Sequence, residues 1–256
     1  MWKAVRVSLL LGVLLVVASS TYFEQRRAHA WRDPQELGIF PVAGDDSVAT
    51  FEYLAQLAPG DFADIAAFMA EQAAGYGLAL HEPVRVHLYP RIRPAPPPPP
   101  APGATLAAVW WSLTLRVYAL RYGRGDSGAP QIRMFVVFHD PAITPRLAHS
   151  AGLQKGLIGV AHVFAVPRMR GSNNVVIAHE YLHTLGATDK YDPATDAPVY
   201  PQGFAEPAQS PRYPQRFAEL MAGRRPLTPT TQEMPDSLER CVIGEATAAE
   251  IEWLKR

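Results

Sequence analysis

His179 and His183 stand four residues apart, with Glu180 directly after the first, and residues of these types at this spacing can carry out metal-assisted hydrolysis. Residues four apart share a helix face, so the two imidazoles can offer nitrogens to one zinc ion while the Glu180 carboxylate faces the same cleft. A zinc ion that activates water takes three protein ligands and leaves its fourth position to solvent. Asp189 follows six residues after His183, beyond Gly186. A left-handed Gly186 can end the helix, and the turn it permits swings Asp189 back as an oxygen donor. Asp192, Glu206 and Glu219 lie further along and stay open as alternative third ligands. With the ion in place, Glu180 is the general base for the attacking water.

These groups need a rigid support. Val175, Val176, Ile177 and Ala178 are apolar on every face and, with Tyr181, Leu182 and Leu185, they describe a helix buried in a domain interior. Two histidines and a glutamate are costly in such a helix unless a metal or hydrogen bonds engage them. Ser172, Asn173 and Asn174 are the expected N-caps.

The pattern HExxHxxGxxD, followed by Glu219-Leu220-Met221-Ala222-Gly223, resembles the metzincin clan of zinc peptidases, in particular its snapalysin-like branch, where aspartate replaces the usual third histidine. The resemblance covers residues 155 to 225, or about that span. It implies one catalytic Zn2+ on His179, His183 and Asp189, with Met221 in a tight turn beneath the site. It also implies a peptide or protein substrate. Tyr191 takes the place of tyrosines that donate to the oxyanion in several members, with a structural hydrogen bond as its other reading. The strand before the metal helix, Gly159-Val160-Ala161-His162-Val163, is expected to pair with substrate along its edge, with His162 either contacting substrate or lying on the surface. The implied fold class is α+β. It is a zincin-like domain with a small twisted mixed sheet, a long packing helix, an active-site helix and an irregular Pro-rich C-terminal lobe.

Composition narrows the function classes. The 256 residues carry 24 Lys plus Arg against 24 Asp plus Glu, so no long-range field favours nucleic acid. Cys241 is the one cysteine, which excludes an intramolecular disulfide and a thiolate-rich zinc site. Residues 1–30 are expected to be a membrane anchor or signal segment with its connector, because Lys3 and Arg6 precede an uncharged run from Val7 to Phe23. This makes the protein a single-pass membrane protein with an extracytoplasmic domain, or an exported one after cleavage. Residues 31–256 then form one domain. The sequence is silent on oligomeric state.

Within it, residues 24–45 read as a polar connector with Trp31, Phe40 and Val42 packing at the domain's start. Asp61 caps a helix carrying Phe62, Ile65, Phe68, Met69 and Ala73, and Val84 to Tyr89 alternates as a strand with His87 facing solvent. Residues 94–102 form a stiff Pro-rich surface loop. Leu106, Val109, Trp110, Leu113, Val117 and Leu120 form one stripe, expected to pack a long helix on the sheet, with Trp111 off its centre. Two more strands are expected at Ile132 to Phe138 and Gly159 to Val166. Residues 190–235 form the irregular lobe, and Thr247 to Glu250 reads as a capping box for a closing helix that buries Ala248, Ile251 and Leu254.

Three functions compete: a zinc peptidase, a non-catalytic zinc-binding scaffold, and a zinc hydrolase of non-peptide amides. An intact base at Glu180 favours catalysis, and a fourth protein ligand favours the scaffold.

Overall fold

Nine residues that carry two turn-formers, Gly38 and Pro41, make an inner strand of the sheet. This is β1 (Gln35–Ala43), and all but two of its residues are buried. The computed structural model describes residues 6, 26–100, 105–125, 128–148 and 150–254. β1 pairs in parallel with β2 (Val84–Leu88) on one side and β3 (Ile132–His139) on the other. β3 pairs in parallel with β5 (Ile158–Phe164), and β4 (Ala151–Leu153) closes the edge antiparallel to β5. The result is a five-stranded mixed sheet in the order β2-β1-β3-β5-β4. It sits in a mixed α/β domain, which accords with an α+β class in its general form.

Helices cover both faces. α1 (Val48–Gln56), α2 (Ala63–Gly75) and α4 (Arg170–Thr184) pack on one side over Leu37, Ile39, Ile132, Met134, Val136 and Phe138. α3 (Thr105–Tyr122) lies on the other, against Phe40, Phe135, Val137 and Val160. This alternation along β3 is the pleat at work, since successive side chains go to opposite layers.

Several expectations need correction. The segment read as a connector contains β1, and order begins before residue 31: Ala28 is fully buried, and its carbonyl accepts from Gln35 Nε2. The expected membrane anchor, Val7 to Phe23, lies outside the described residues. No helix among those described is long and apolar enough to cross a membrane, so a transmembrane assignment has no support. The strand expected to offer its edge to substrate is not an edge, because β4 covers β5. The apolar stripe on α3 is turned outward: Leu106, Trp110 and Val117 are 87%, 69% and 64% exposed. The helix instead seats Leu115, Tyr118 and Ala119 on the sheet. Trp111 joins that side and donates its indole N–H to the Pro97 carbonyl, while the Tyr118 hydroxyl donates to Pro94, so the Pro-rich loop is fastened to the helix.

Past α4 the chain forms two small two-stranded sheets, Ala218–Glu219 (β6) with Cys241–Val242 (β9) and Arg225–Pro226 (β7) with Gln232–Glu233 (β8). The last helix is α5 (Glu245–Glu250), which starts two residues before Thr247. The expected capping box is not made. Thr247 donates to Glu219 and Glu250 binds Lys190, so both polar members face the chain's interior partners.

Candidate metal centre

α4 begins earlier than the sequence suggested. Its N-cap is Met169, with no side-chain cap, and the trio Ser172-Asn173-Asn174 lies inside the first turns. Those side chains fasten the helix laterally. Asn173 exchanges two hydrogen bonds with the backbone of Phe164 on β5, and Asn174 donates to the Asp61 carbonyl. The helix that carries both histidines is therefore pinned near its N-terminal end to the sheet and to the turn before α2. Asp61 itself does not cap α2; its carboxylate accepts from Ala58 N in a preceding turn, Pro59–Phe62.

At the other end of α4, Gly186 has φ of 92°, in the left-handed region that favours glycine. Its N–H returns to the His183 carbonyl and the Ala187 N–H to Leu182, which closes the helix and reverses the chain. A side chain there would also strike Gln154, 2.3 Å from the added carbon.

The reversal brings three donors together. His179 Nε2 and His183 Nε2 are 3.0 Å apart, and Asp189 Oδ1 lies 3.1 Å from each. Tetrahedral zinc ligands about 2.0 Å from the ion stand about 3.3 Å from one another, so this triangle matches one ion. The tautomers match as well. His179 Nδ1 donates to the Leu220 carbonyl at 2.9 Å and His183 Nδ1 to the Ala187 carbonyl at 2.7 Å. Each ring thereby keeps its Nε2 lone pair for the centre, the usual outer-shell device of metal-binding histidines. Two such lone pairs facing at 3.0 Å repel unless a proton or a cation stands between them.

Glu180 completes the group. It can share an ion's neighbourhood with both histidines, all ligand atoms lying within 4.8 Å of one another, and it is buried. Its Oε2 has no hydrogen-bond partner among the described residues. Burial raises its pKa, against the opposing pull of His179 and His183.

Charge in the metal-free protein follows from the same geometry. Burial works against a charged His179, but Asp189, Glu180 and the Leu220 carbonyl outweigh it, and its pKa is pushed up to about 9. Burial likewise opposes charge on Asp189, and the hydrogen bonds from both histidines overcome it, holding the carboxyl well below its usual range. This pair stabilises the metal-free fold fully below the unfolded histidine value of 6.5 and loses that contribution as pH rises through about 9. Loss on the acid side begins as pH falls below 3.8, where unfolded aspartate takes a proton. Zinc must displace the His179 proton, so apparent zinc affinity should rise roughly tenfold per pH unit between pH 7 and 9. Competition titrations with a chromophoric chelator check the slope, and a flat profile would count against a protonated His179.

Tyr191 stands beside the centre. Its ring lies 6.5 Å from that of His179, and burial, then Asp189 and Glu180, push its pKa up to about 12, so it is a proton donor at neutral pH. Tyr191 also lines a cavity of about 790 Å3 between the Pro-rich loop (Pro98, Pro99) and the C-terminal lobe (Arg224, Met234). Along the other side runs the edge strand β4, so close that a side chain on Gly152 would meet His183 Cβ at 2.4 Å.

The alternative third ligands are engaged elsewhere. Asp192 accepts from Ala194 N and Glu206 from Arg216 N. Glu219 is fully buried and accepts from Ala222 N, Gly244 N and the Thr247 hydroxyl. Its bonds shape the turn Leu220–Ala222, which holds the fully buried Met221 and presents the Leu220 carbonyl to His179. His162 does not join the centre. It projects on the α3 side of β5 and stacks on His139, with His139 Nε2 and His162 Nδ1 3.0 Å apart.

Sequence reasoning missed one group that matters. Lys190 is buried and bonds Glu250 at 2.7 Å together with the Thr188 carbonyl and hydroxyl, while its backbone N–H donates to the Met221 carbonyl. The residue between Asp189 and Tyr191 is thus anchored to α5 and to the methionine turn at once. Its partners are 60 and 31 positions away, and no local pattern announces them. The His-Glu-His group is spaced and placed compatibly with a zinc site, yet no family model matches the chain and no curated protein matches its sequence.

Proposed function

We propose that this chain is a zinc-dependent peptidase of the metzincin type with aspartate as third ligand. The observation that carries this reading is the triangle of His179 Nε2, His183 Nε2 and Asp189 Oδ1, with a buried, unligated carboxylate beside it. Met221 in a turn against the metal helix and an antiparallel edge strand along the cleft support the clan assignment.

A divalent ion held by these three residues would supply Lewis acidity, polarising a peptide carbonyl and acidifying water. β4 offers its open backbone edge to an extended peptide. Glu180 takes the proton of the attacking water and returns it to the departing amine. Burial, which raises the affinity of this carboxylate for a proton, suits it to both transfers. The Tyr191 phenol donates to the developing oxyanion, and its high pKa keeps it protonated throughout. A closed structural site would need a fourth protein donor, and the engagement of Asp192, Glu206 and Glu219 elsewhere favours an open, catalytic one.

Metal analysis of the purified chain, combined with hydrolysis of a fluorogenic protein substrate with and without chelator, tests this. One zinc per chain and chelator-sensitive cleavage are expected; stoichiometric zinc without cleavage would reduce the centre to a structural role. Tyr191→Phe should lower kcat roughly 10- to 100-fold with zinc content unchanged. Unaltered kcat would leave Tyr191 with only its packing beside the His179 ring.

A further inference from the structure

We propose that Thr247 and Glu250, three residues apart on one face of α5, are positioning residues for the metal centre, Glu250 holding Asp189 in place and Thr247 holding His179. The inference rests on the reading of His179, His183 and Asp189 as zinc ligands.

Asp189 is the ligand with the least support of its own. Both histidines stand on α4, whereas Asp189 lies outside any helix or strand, with its side chain 42% exposed. Glu250 secures this stretch on either side of the ligand. Its Oε2 accepts from the Thr188 backbone N–H at 2.9 Å and from Lys190 Nζ at 2.7 Å, and its Oε1 accepts from the Thr188 hydroxyl at 2.7 Å. Lys190 Nζ also donates to the Thr188 carbonyl and hydroxyl, at 2.7 and 2.8 Å. The two neighbours of Asp189 are thus tied to each other as well as to Glu250. A loop ligand without such ties must be ordered when the ion binds, and that entropy is lost from the affinity.

A second route from the same helix reaches His179. Thr247 donates to Glu219 Oε1 at 2.6 Å, and Glu219 Oε2 accepts from Ala222 N in the turn whose Leu220 carbonyl accepts from His179 Nδ1. α5 is a firm base for both routes. Thr247 and Ala248 are fully buried, the Trp31 indole N–H donates to the Ile251 carbonyl at 2.8 Å, and the Trp31 and Tyr76 rings pack on Trp253. The Thr-x-x-Glu pair that leaves its own helix without a side-chain cap therefore braces the metal centre, one residue for each of two ligands.

Three variants of the full chain test the proposal: Glu250→Gln, Glu250→Gln combined with Lys190→Met, and Thr247→Val. Each is read by zinc competition against a chromophoric chelator, by the visible spectrum of the Co2+ form, and by melting of the metal-free protein. Glu250→Gln alone leaves the buried Lys190 ammonium without its carboxylate and should lower the melting temperature. The double variant removes that charge and should recover most of the loss. Zinc affinity should nevertheless fall at least about tenfold in both, and in Thr247→Val, as it does when outer-shell partners are removed. The Co2+ spectrum of both Glu250 variants should differ from the parent's, because the oxygen donor is no longer held in place, a change that lost fold stability alone does not produce. If the double variant regained the parent's zinc affinity together with its melting temperature, Glu250 would be only a fold-stabilising partner of Lys190, and its assignment would be overturned. Parent affinity in Thr247→Val would overturn the second route. A parent chain that holds no zinc would overturn this inference together with the reading beneath it, whereas a zinc-binding parent with unaffected variants would overturn this inference alone.

Discussion

On the proposed function, replacing Glu180 by glutamine should leave one zinc bound per chain and lower peptide hydrolysis about 10³-fold. The substitution keeps the side chain's size and removes only its ability to take a proton. Zinc retention follows because the three donors 3.0 to 3.1 Å apart are His179, His183 and Asp189, and each histidine is held by a backbone carbonyl that the change does not touch. A second effect runs the other way. Glu180 is buried with Oε2 unpartnered among the described residues, and burial raises its pKa, so its negative charge costs stability at any pH above the ordinary carboxylate value of 4.5. The metal-free glutamine variant should therefore melt higher than the metal-free parent at pH 7, with the gain shrinking as pH falls toward 4.5 and the parent's carboxyl takes its proton. Steady-state kinetics, metal analysis and thermal melts at two pH values check the set. Undiminished turnover would remove Glu180 from the chemistry, and loss of zinc would make it a ligand.

The centre was legible because its members are close in the chain. From His179 to Tyr191, helix period and one left-handed glycine settle where each side chain goes, and φ at Gly186 is what that reading requires. The supports were not legible, because each depends on a distant partner. The carbonyl that fixes His179 belongs to Leu220, 41 positions on, and the turn presenting it is shaped by Glu219 through Gly244 and Thr247. β1 escaped notice for a different reason. A parallel strand flanked on both sides is buried on both faces, so it shows no alternation, and Gly38 and Pro41 give it the composition of a loop.

α3 is the instructive error. Periodicity located the helix correctly, but it assigned the most apolar face to the sheet. The residues that do face the sheet, Leu115, Tyr118 and Ala119 with Trp111 beside them, include two aromatics that carry a polar atom. Those polar atoms are satisfied by the Pro94 and Pro97 carbonyls, so the Pro-rich loop makes that face suitable for burial. A pattern within one helix cannot register a partner outside it.

Asp189→Ala should weaken zinc binding by more than about 100-fold, since loss of an outer-shell partner alone costs 10- to 100-fold and Asp189 touches both imidazoles directly. Hydrolysis at limiting zinc should fall to background and recover in part with excess metal. The same change alters proton coupling. Asp189 is the strongest of the groups that hold His179 charged against burial, so without it the His179 pKa drops from about 9 and zinc no longer displaces a proton in the neutral range. The pH slope of apparent affinity should flatten between pH 7 and 9, a signature that general destabilisation would not produce. Asp189→Asn separates charge from shape: it keeps an oxygen donor but should still lose the slope. Unchanged zinc stoichiometry after dialysis in both variants would move the third donor elsewhere. A substitute would come at visible cost, because Glu219 could reach the metal only by releasing Ala222, Gly244 and Thr247, and with them the turn that orients His179.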